Sequence, residues 1–142
     1  MYFSASSAPS ALIVVVGMSS HVDLVGVLFV IWGLLTALVG LSTLALGIAA
    51  ASLITSASRG GGGGQFAAGL TAAAFTTLAI IAMVWGAAHV SIGLSVRRRK
   101  ASARLLALMF GSVDLLLLPY GTALGVYALW VLLNEEGKKL FQ

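Results

Sequence analysis

Two long runs of apolar residues without charged side chains dominate the chain and predict membrane-spanning helices. The first run covers residues 24–51 and the second covers residues 66–96. Each exceeds the ~20 residues that a helix needs to cross the hydrocarbon core of a bilayer. Just before the first run, Ser20 and Asp23 form an S-x-x-D capping box, which is typical of a helix N-terminus. The first helix is therefore expected to begin near residue 23.

Two segments outside these runs predict other structure. Residues 1–20 are expected to form an N-terminal adapter, because their apolar part, Ala11–Met18, is too short to span a membrane. The same segment has neither a basic start nor a small-residue cleavage site, so a cleaved signal peptide is not expected. Ser52–Gln65 contains five consecutive glycines and predicts a flexible loop rather than a helix.

A third apolar run allows two interpretations. It extends for 30 residues from Leu105 to Asn134 and is interrupted by Pro119-Tyr120-Gly121. A single kinked helix of this length would be about 45 Å long, which exceeds the ~30 Å hydrocarbon core. Two short helices joined at Pro-Tyr-Gly would instead return the C-terminal Lys138 and Lys139 to the side where the run began. The lysines favour the two-helix interpretation.

The expected fold class is therefore all-α, an integral membrane bundle of four transmembrane helices in a single domain, residues 21–142. The last two helices are short. The expected spans are about 23–51, 66–96, 103–118 and 121–134.

Small residues recur with a period of seven on the first two expected helices and predict how these helices pack. The first helix carries Gly26, Gly33, Gly40 and Gly47, and the second carries Ala72, Ala79, Gly86 and Gly93. A period of seven draws a nearly straight stripe along a helix. Small side chains let a neighbouring backbone approach closely, so the two stripes are expected to face each other. Gly121 and Gly125 add a G-x-x-x-G motif to the fourth helix.

Composition narrows the class of protein. Hydrophobic residues make up 60 % of the chain and charged residues only 8 %, whereas soluble domains have about 25 % charged residues. Mean hydropathy is +1.08. These values exclude a soluble globular domain and a disordered chain. The absence of cysteine excludes disulfides, thiolate metal sites and cysteine nucleophiles, and no metal site is expected.

Basic residues concentrate in one short turn and predict orientation. Five of the eight lysines and arginines lie between Arg97 and Arg104. A basic turn between apolar helices is a topology signal, and by the positive-inside rule it is cytoplasmic. Both termini are then cytoplasmic, the glycine-rich loop lies outside, and no nucleic-acid partner is expected. The residues expected at the lipid headgroups are Arg97, Arg98, Arg99, Lys100 and Arg104.

Ionisable residues inside the expected spans are the candidate functional positions. His89 lies about 12 Å along the helix before Arg97, and Asp114 lies about 15 Å after Arg104. The two side chains are therefore expected at similar depth, where they could form a structural pair or line a proton or ion pathway. His21 is expected near the cytoplasmic face of the membrane, on the same side as the basic turn.

The glycines beside His89 raise a pigment-binding alternative. Gly86, His89 and Gly93 fall on one helix face, which could leave room for a tetrapyrrole such as haem or chlorophyll. His21 is then a conceivable second ligand.

Three segments together resemble a known group of proteins. They are the H-x-x-LVG-x-L pattern of His21–Leu28, the basic turn RRRKASARLLAL, and the closing run LLPYGTALGVYALWVLLNEEGKKLF. This combination resembles a widespread group of small bacterial membrane proteins with four predicted spans and no assigned function. The resemblance implies the fold and a bacterial inner-membrane origin, and it supplies no catalytic or ligand residues.

The expected function is non-enzymatic, because no Ser-His-Asp order, metal-ligand cluster or pair of carboxylates occurs in the apolar runs. We expect an accessory or scaffolding subunit that packs against larger integral membrane proteins. The alternative is a small oligomeric transporter or channel that uses Asp114 and His89. A pigment-binding subunit is the lesser alternative.

Overall fold

The computed structural model describes residues 8–58, 62–116 and 120–141, with side chains from Gly17 onward except that of Tyr120. The described chain is almost entirely helical and contains no strand, which confirms the all-α class. Its helices are α1 (Ala8–Ala57), α2 (Gly62–Arg97), α3 (Ala101–Asp114), α4 (Tyr120–Leu133) and α5 (Glu135–Lys139).

The first helix begins earlier than the capping box predicts. Helix α1 starts at Ala8 and passes through Ser20 and Asp23 without a break. Pro9 lies in the first turn, where its missing N–H needs no partner, and no helix breaker separates it from the apolar run. The expected start near residue 23 is therefore wrong, and the described part of residues 1–20 continues the helix.

The glycine-rich segment is also more helical than expected. Helix α1 continues to Ala57, and α2 begins at Gly62, so much of Ser52–Gln65 is helical rather than a loop. The hydroxyls of Ser52, Thr55 and Ser56 donate to carbonyl oxygens one turn earlier, which satisfies these polar groups within the helix. A Cβ atom on Gly64 would overlap the Ser58 side chain, so a glycine is needed where the two helix ends meet. Residues 59–61 lie outside the described part.

The third apolar run forms two helices that pack against each other in antiparallel directions. Gly111 of α3 lies against Gly125 and Ala128 of α4. Near the turn, the Thr122 hydroxyl donates to the Leu115 carbonyl at 3.0 Å. Helix α3 ends at Asp114, four residues before the expected 118, and Pro119 lies outside the described residues.

The chain divides into two compact units. The terminal unit comprises the residues up to Ile31 together with those from His89 onward, and the hairpin unit comprises Trp32–Ala88. The terminal unit has a core of fully buried side chains. Its members include Val22, Val25, Phe29, Val96, Ala103, Ala107, Ala128, Val131 and Leu132.

The hairpin unit is held by the small-residue stripes. A Cβ on Gly86 would lie 2.5 Å from the Gly33 carbonyl oxygen, and one on Gly40 would lie 2.9 Å from that of Ala79. A Cβ on Gly47 would overlap Phe75. The backbones of α1 and α2 therefore approach so closely in this unit that even a methyl group would collide.

In the terminal unit the same pattern recurs once. A Cβ on Gly93 would lie 2.5 Å from the Gly26 carbonyl oxygen. The stripes thus face each other, as their common period predicts.

Within the described residues, two helical segments are long and apolar enough to cross a membrane by length and composition. They are Gly17–Ala57 and Gly62–Arg97, and α4 contains a shorter apolar helix, Gly121–Leu133.

Candidate functional site

The structure brings His89 of α2 and Asp114 of α3 together. Nε2 of His89 lies 2.9 Å from Oδ2 and 3.2 Å from Oδ1 of Asp114. Both side chains are completely buried. Because the basic turn reverses the chain between α2 and α3, residues at similar distances from it meet, which is the geometry that the depth comparison predicts.

Aromatic rings enclose the pair. The Phe29 ring stacks on the His89 imidazole at 5.5 Å between centroids, and the Phe110 ring meets it edge-on at 5.1 Å. A buried polar group is costly unless it is hydrogen-bonded, and here Nε2 of His89 and the Asp114 carboxylate are hydrogen-bonded to each other. The arrangement joins three helices around one polar contact, since Phe29 belongs to α1. Chemically it is a closed, hydrogen-bonded pair.

The glycines beside His89 do not leave open space. The position of a Gly93 Cβ is within 3 Å of backbone atoms of Gly26 and Val30. That of a Gly86 Cβ lies 2.8 Å from the Ala37 amide nitrogen. Helix α1 thus fills the room that a flat macrocycle would need, and the tetrapyrrole alternative gains no support from this packing.

His21 belongs to a different cluster. Its Nδ1 lies 2.8 Å from the Tyr127 hydroxyl, and its ring meets that of Trp130 edge-on at 6.0 Å. Tyr127 and Trp130 stack on each other on α4. The structure therefore separates His21 from the His89–Asp114 contacts and gives it aromatic partners instead.

The basic turn has a specific backbone structure. The Lys100 amide donates to the Ser95 carbonyl and the Arg99 amide to that of Val96, which is the hydrogen-bond pattern of a Schellman C-cap. Arg99 occupies the left-handed region that the motif requires, with φ 52°. Its Nη2 lies 3.9 Å from Oδ2 of Asp23.

Arg104 has a structural partner at the other end of the turn. Its Nε donates to the Leu132 carbonyl at 3.1 Å, near the end of α4. A cation at a helix C-terminus is favourable because the last carbonyls carry partial negative charge. Arg104 therefore attaches the start of α3 to the end of α4.

The C-terminal helix α5 is a small charged cap. The Asn134 side chain accepts a hydrogen bond from the Glu136 amide, which fixes the helix start. The hydrogen bond from Lys138, reinforced by its charge, holds the pKa of the Glu135 carboxyl below its usual value. Glu136 forms an ion pair with Lys139, with 2.9 Å between Oε1 and Nζ.

Sequence reasoning did not find the aromatic partners of the two histidines. Phe29 and Phe110 lie 60 and 21 residues from His89 in the chain, and no local signal predicts that they contact it. Tyr127 and Trp130 are three residues apart on α4, so their shared face could have been recognised.

Among the described residues, no group of three His, Cys, Asp or Glu side chains could hold a metal ion. Comparison of the chain with protein-family models, with curated proteins and with solved structures finds no match.

Proposed function

We propose that this chain is a small, non-enzymatic integral membrane protein that acts as an accessory or scaffolding subunit for larger membrane proteins. The apolar composition and the two long apolar helices support the membrane location. The basic turn supports a cytoplasmic position for that end of the terminal unit. The resemblance to small bacterial proteins supports a multi-pass protein of the bacterial inner membrane with both termini in the cytoplasm.

The observation that carries the scaffolding proposal is the surface of the hairpin unit. Its small-residue stripes already pack against each other within the hairpin. The remaining helix faces expose large aliphatic side chains. These include Leu34, Leu35, Leu38, Val39, Leu46, Ile48, Leu53, Leu70, Ile80, Ile81 and Val84. Soluble monomers rarely expose so large an apolar surface, which is suited to lipid and to apolar helices of other proteins.

Co-purification in a mild detergent tests this proposal. The protein, tagged after Gln142, is extracted from its native membrane and separated by size. We expect stoichiometric larger membrane proteins to co-migrate with it. A homodimer without other proteins would contradict the scaffolding proposal.

The buried His89–Asp114 pair favours a second candidate, an oligomeric transporter or channel. Ionisable groups inside a membrane mark ion or proton pathways in many transporters. In that case Asp114→Asn should abolish ion or proton flux in liposomes while the thermal unfolding of the protein stays close to that of the wild type. Equal flux in both proteins would exclude a transport role for the carboxylate.

A further inference from the structure

Arg99 occupies a backbone position that favours glycine. In the Schellman C-cap of α2 the left-handed residue is most often glycine, because a Cβ is disfavoured there. Arg99 adopts φ 52° at this position. Arg99 therefore adopts a backbone conformation that residues other than glycine disfavour. This indicates that its side chain has a role that offsets the conformational cost.

The ion pair with Asp23 does not supply that explanation. The closest N–O distance is 3.9 Å, and the side chains are 39 % and 50 % exposed. Exposed ion pairs of this kind contribute little to stability, because water screens the charges and long side chains lose entropy. The charge of Arg99 is thus largely available to another partner.

Arg99 is part of a dense group of exposed cations. Arg97, Arg98 and Lys100 are exposed beside it. In the described part of the chain, Asp23 is the one carboxylate within ion-pair distance of these four residues. The aliphatic stem of Arg97 lies across Gly26, since a Cβ there would be 2.5 Å from Arg97 Cγ. The patch of Arg97, Arg98, Arg99 and Lys100, here called the cationic cap, has a strong excess of positive charge.

A second, independent cluster indicates what kind of anion this patch meets. His21, two residues before Asp23 on α1, contacts Tyr127 and Trp130 of the same unit. Trp130 is 56 % exposed. Tyrosine and tryptophan with one polar edge and one apolar body concentrate at the headgroup level of membranes. The aromatic cluster therefore favours a phospholipid headgroup over a free anion in solution.

From these observations we infer that the cationic cap binds the headgroup of an anionic phospholipid, with the arginine guanidinium groups on the phosphate. Planar guanidinium groups bind phosphate through two parallel hydrogen bonds, and a net negative headgroup adds a long-range attraction. This inference rests on the membrane location proposed above, and it is independent of any partner protein.

Lipid binding to the full-length protein in nanodiscs tests the inference. The probes are brominated phosphatidylglycerol and brominated phosphatidylcholine, which quench the fluorescence of tryptophans they contact. Because Trp32 and Trp85 also fluoresce, the part of the quenching that a Trp130→Phe variant loses reports lipid beside Trp130. We expect the wild type to prefer phosphatidylglycerol. Removal of two cations by Arg98→Gln with Lys100→Gln should weaken that preference about 30-fold, which corresponds to about 1 kcal/mol for each basic residue at an anionic surface.

The matched control removes the same charge elsewhere. Lys138→Gln with Lys139→Gln also reduces the net charge by two, but these lysines pair with Glu135 and Glu136 outside the cap. This variant should keep the preference for phosphatidylglycerol. An equal loss in both double variants, or no preference in the wild type, would overturn the inference. If inorganic phosphate at millimolar concentration abolished the preference for phosphatidylglycerol, the cationic cap would be a site for free anions. This result would also overturn the inference.

Arg99→Gly provides a test in which folding and lipid binding change in opposite directions. Glycine suits the left-handed position, so the apparent Tm in zwitterionic detergent should rise by about 2–4 °C. The preference for phosphatidylglycerol should fall about 5-fold. A purely structural role for Arg99 would be shown by a lower Tm with unchanged lipid preference. If the protein does not enter nanodiscs at all, the membrane proposal fails first, which is distinguishable from a failure of lipid selectivity.

Discussion

At the residue scale, the contact between His89 and Asp114 is a fully buried polar contact in an apolar core. Both groups are fully buried, and they hydrogen-bond to each other at 2.9 Å. Removal of one partner breaks this buried hydrogen bond, whereas replacement of Asp114 by a group that still accepts a hydrogen bond does not. Substitutions at Asp114 therefore separate the hydrogen bond from the charge.

We expect Asp114→Asn to destabilise the protein only mildly, by about 1 kcal/mol or less, because the amide oxygen can still accept from the imidazole. Asp114→Leu should cost about 1–3 kcal/mol, since it leaves His89 without this acceptor. Thermal unfolding in a mild detergent, followed by circular dichroism, measures both effects. Equal stability of the Leu variant and the wild type would show that the pair does not hold α2 to α3.

The sequence predicts the pair but not its surroundings. The helical rise per residue, counted from the basic turn, predicts that His89 and Asp114 lie at similar depth. This works because the turn is short and both flanking segments are helical. The stacking of Phe29 depends on how α1 packs, which no local pattern encodes. The left-handed backbone of Arg99 was also not predictable, since the position normally favours glycine.

At the scale of helices, the two small-residue stripes pack against each other in a contact here called the seam. The seam determines how closely α1 and α2 approach. Its contacts are between backbone atoms, as at Gly86 against the Gly33 carbonyl. Such contacts tolerate no added atoms, because neither backbone can move without disturbing its own hydrogen bonds. Gly69, on the same helix, is free of this restriction, because a Cβ there would meet no atom within 4 Å.

Gly86→Ala and Gly69→Ala form a matched pair on the same helix. The first adds a methyl group 2.5 Å from a carbonyl oxygen and should destabilise the protein by about 1–3 kcal/mol. The second meets no atom within 4 Å and should stabilise α2 by about 0.5–1 kcal/mol, because alanine is the better helix former. Unfolding of both variants in detergent gives the sign of each effect. If Gly69→Ala destabilised the protein, or if Gly86→Ala did not, the seam would not be the cause of the close packing.

Helix boundaries were less predictable than helix pairing. The seven-residue period predicts which faces meet, because it depends only on helix geometry. The boundaries depended on local signals, and these were overridden at Asp23, where α1 continues, and at Gly62–Gly64, where α2 already begins. In both places the helix continues past the local signal, although each glycine of Gly62–Gly64 disfavours a helix by about 1 kcal/mol relative to alanine.

At the scale of the whole molecule, the remaining question is orientation in the membrane. The basic turn and the C-terminal lysines belong to the same compact unit. The antiparallel α3 and α4 return the chain towards the end at which α3 begins, as the Arg104–Leu132 hydrogen bond indicates. Both features favour a C-terminus on the same side as the basic turn.

A reporter fused after Gln142 should therefore be active in the cytoplasm, and one inserted between Ser58 and Gly62 should be active outside it. Paired phosphatase and fluorescent-protein fusions measure this, because each is active on one side of the inner membrane only. A C-terminal fusion that is active outside would contradict four spans. An insertion after Lys100 serves as the cytoplasmic control.

The seven-residue repeat of the seam has one further consequence for α1 and α2. If one helix slid along the other by seven residues, small residues would again meet small residues, so the seam is degenerate in register. The connection from Ala57 to Gly62 limits this degeneracy, because its five Cα–Cα steps reach at most about 18 Å. A slip of two repeats, about 21 Å, is therefore excluded, whereas a slip of one repeat, about 10 Å, lies within reach. The length of the connection thus sets how many alignments of similar packing the two helices have.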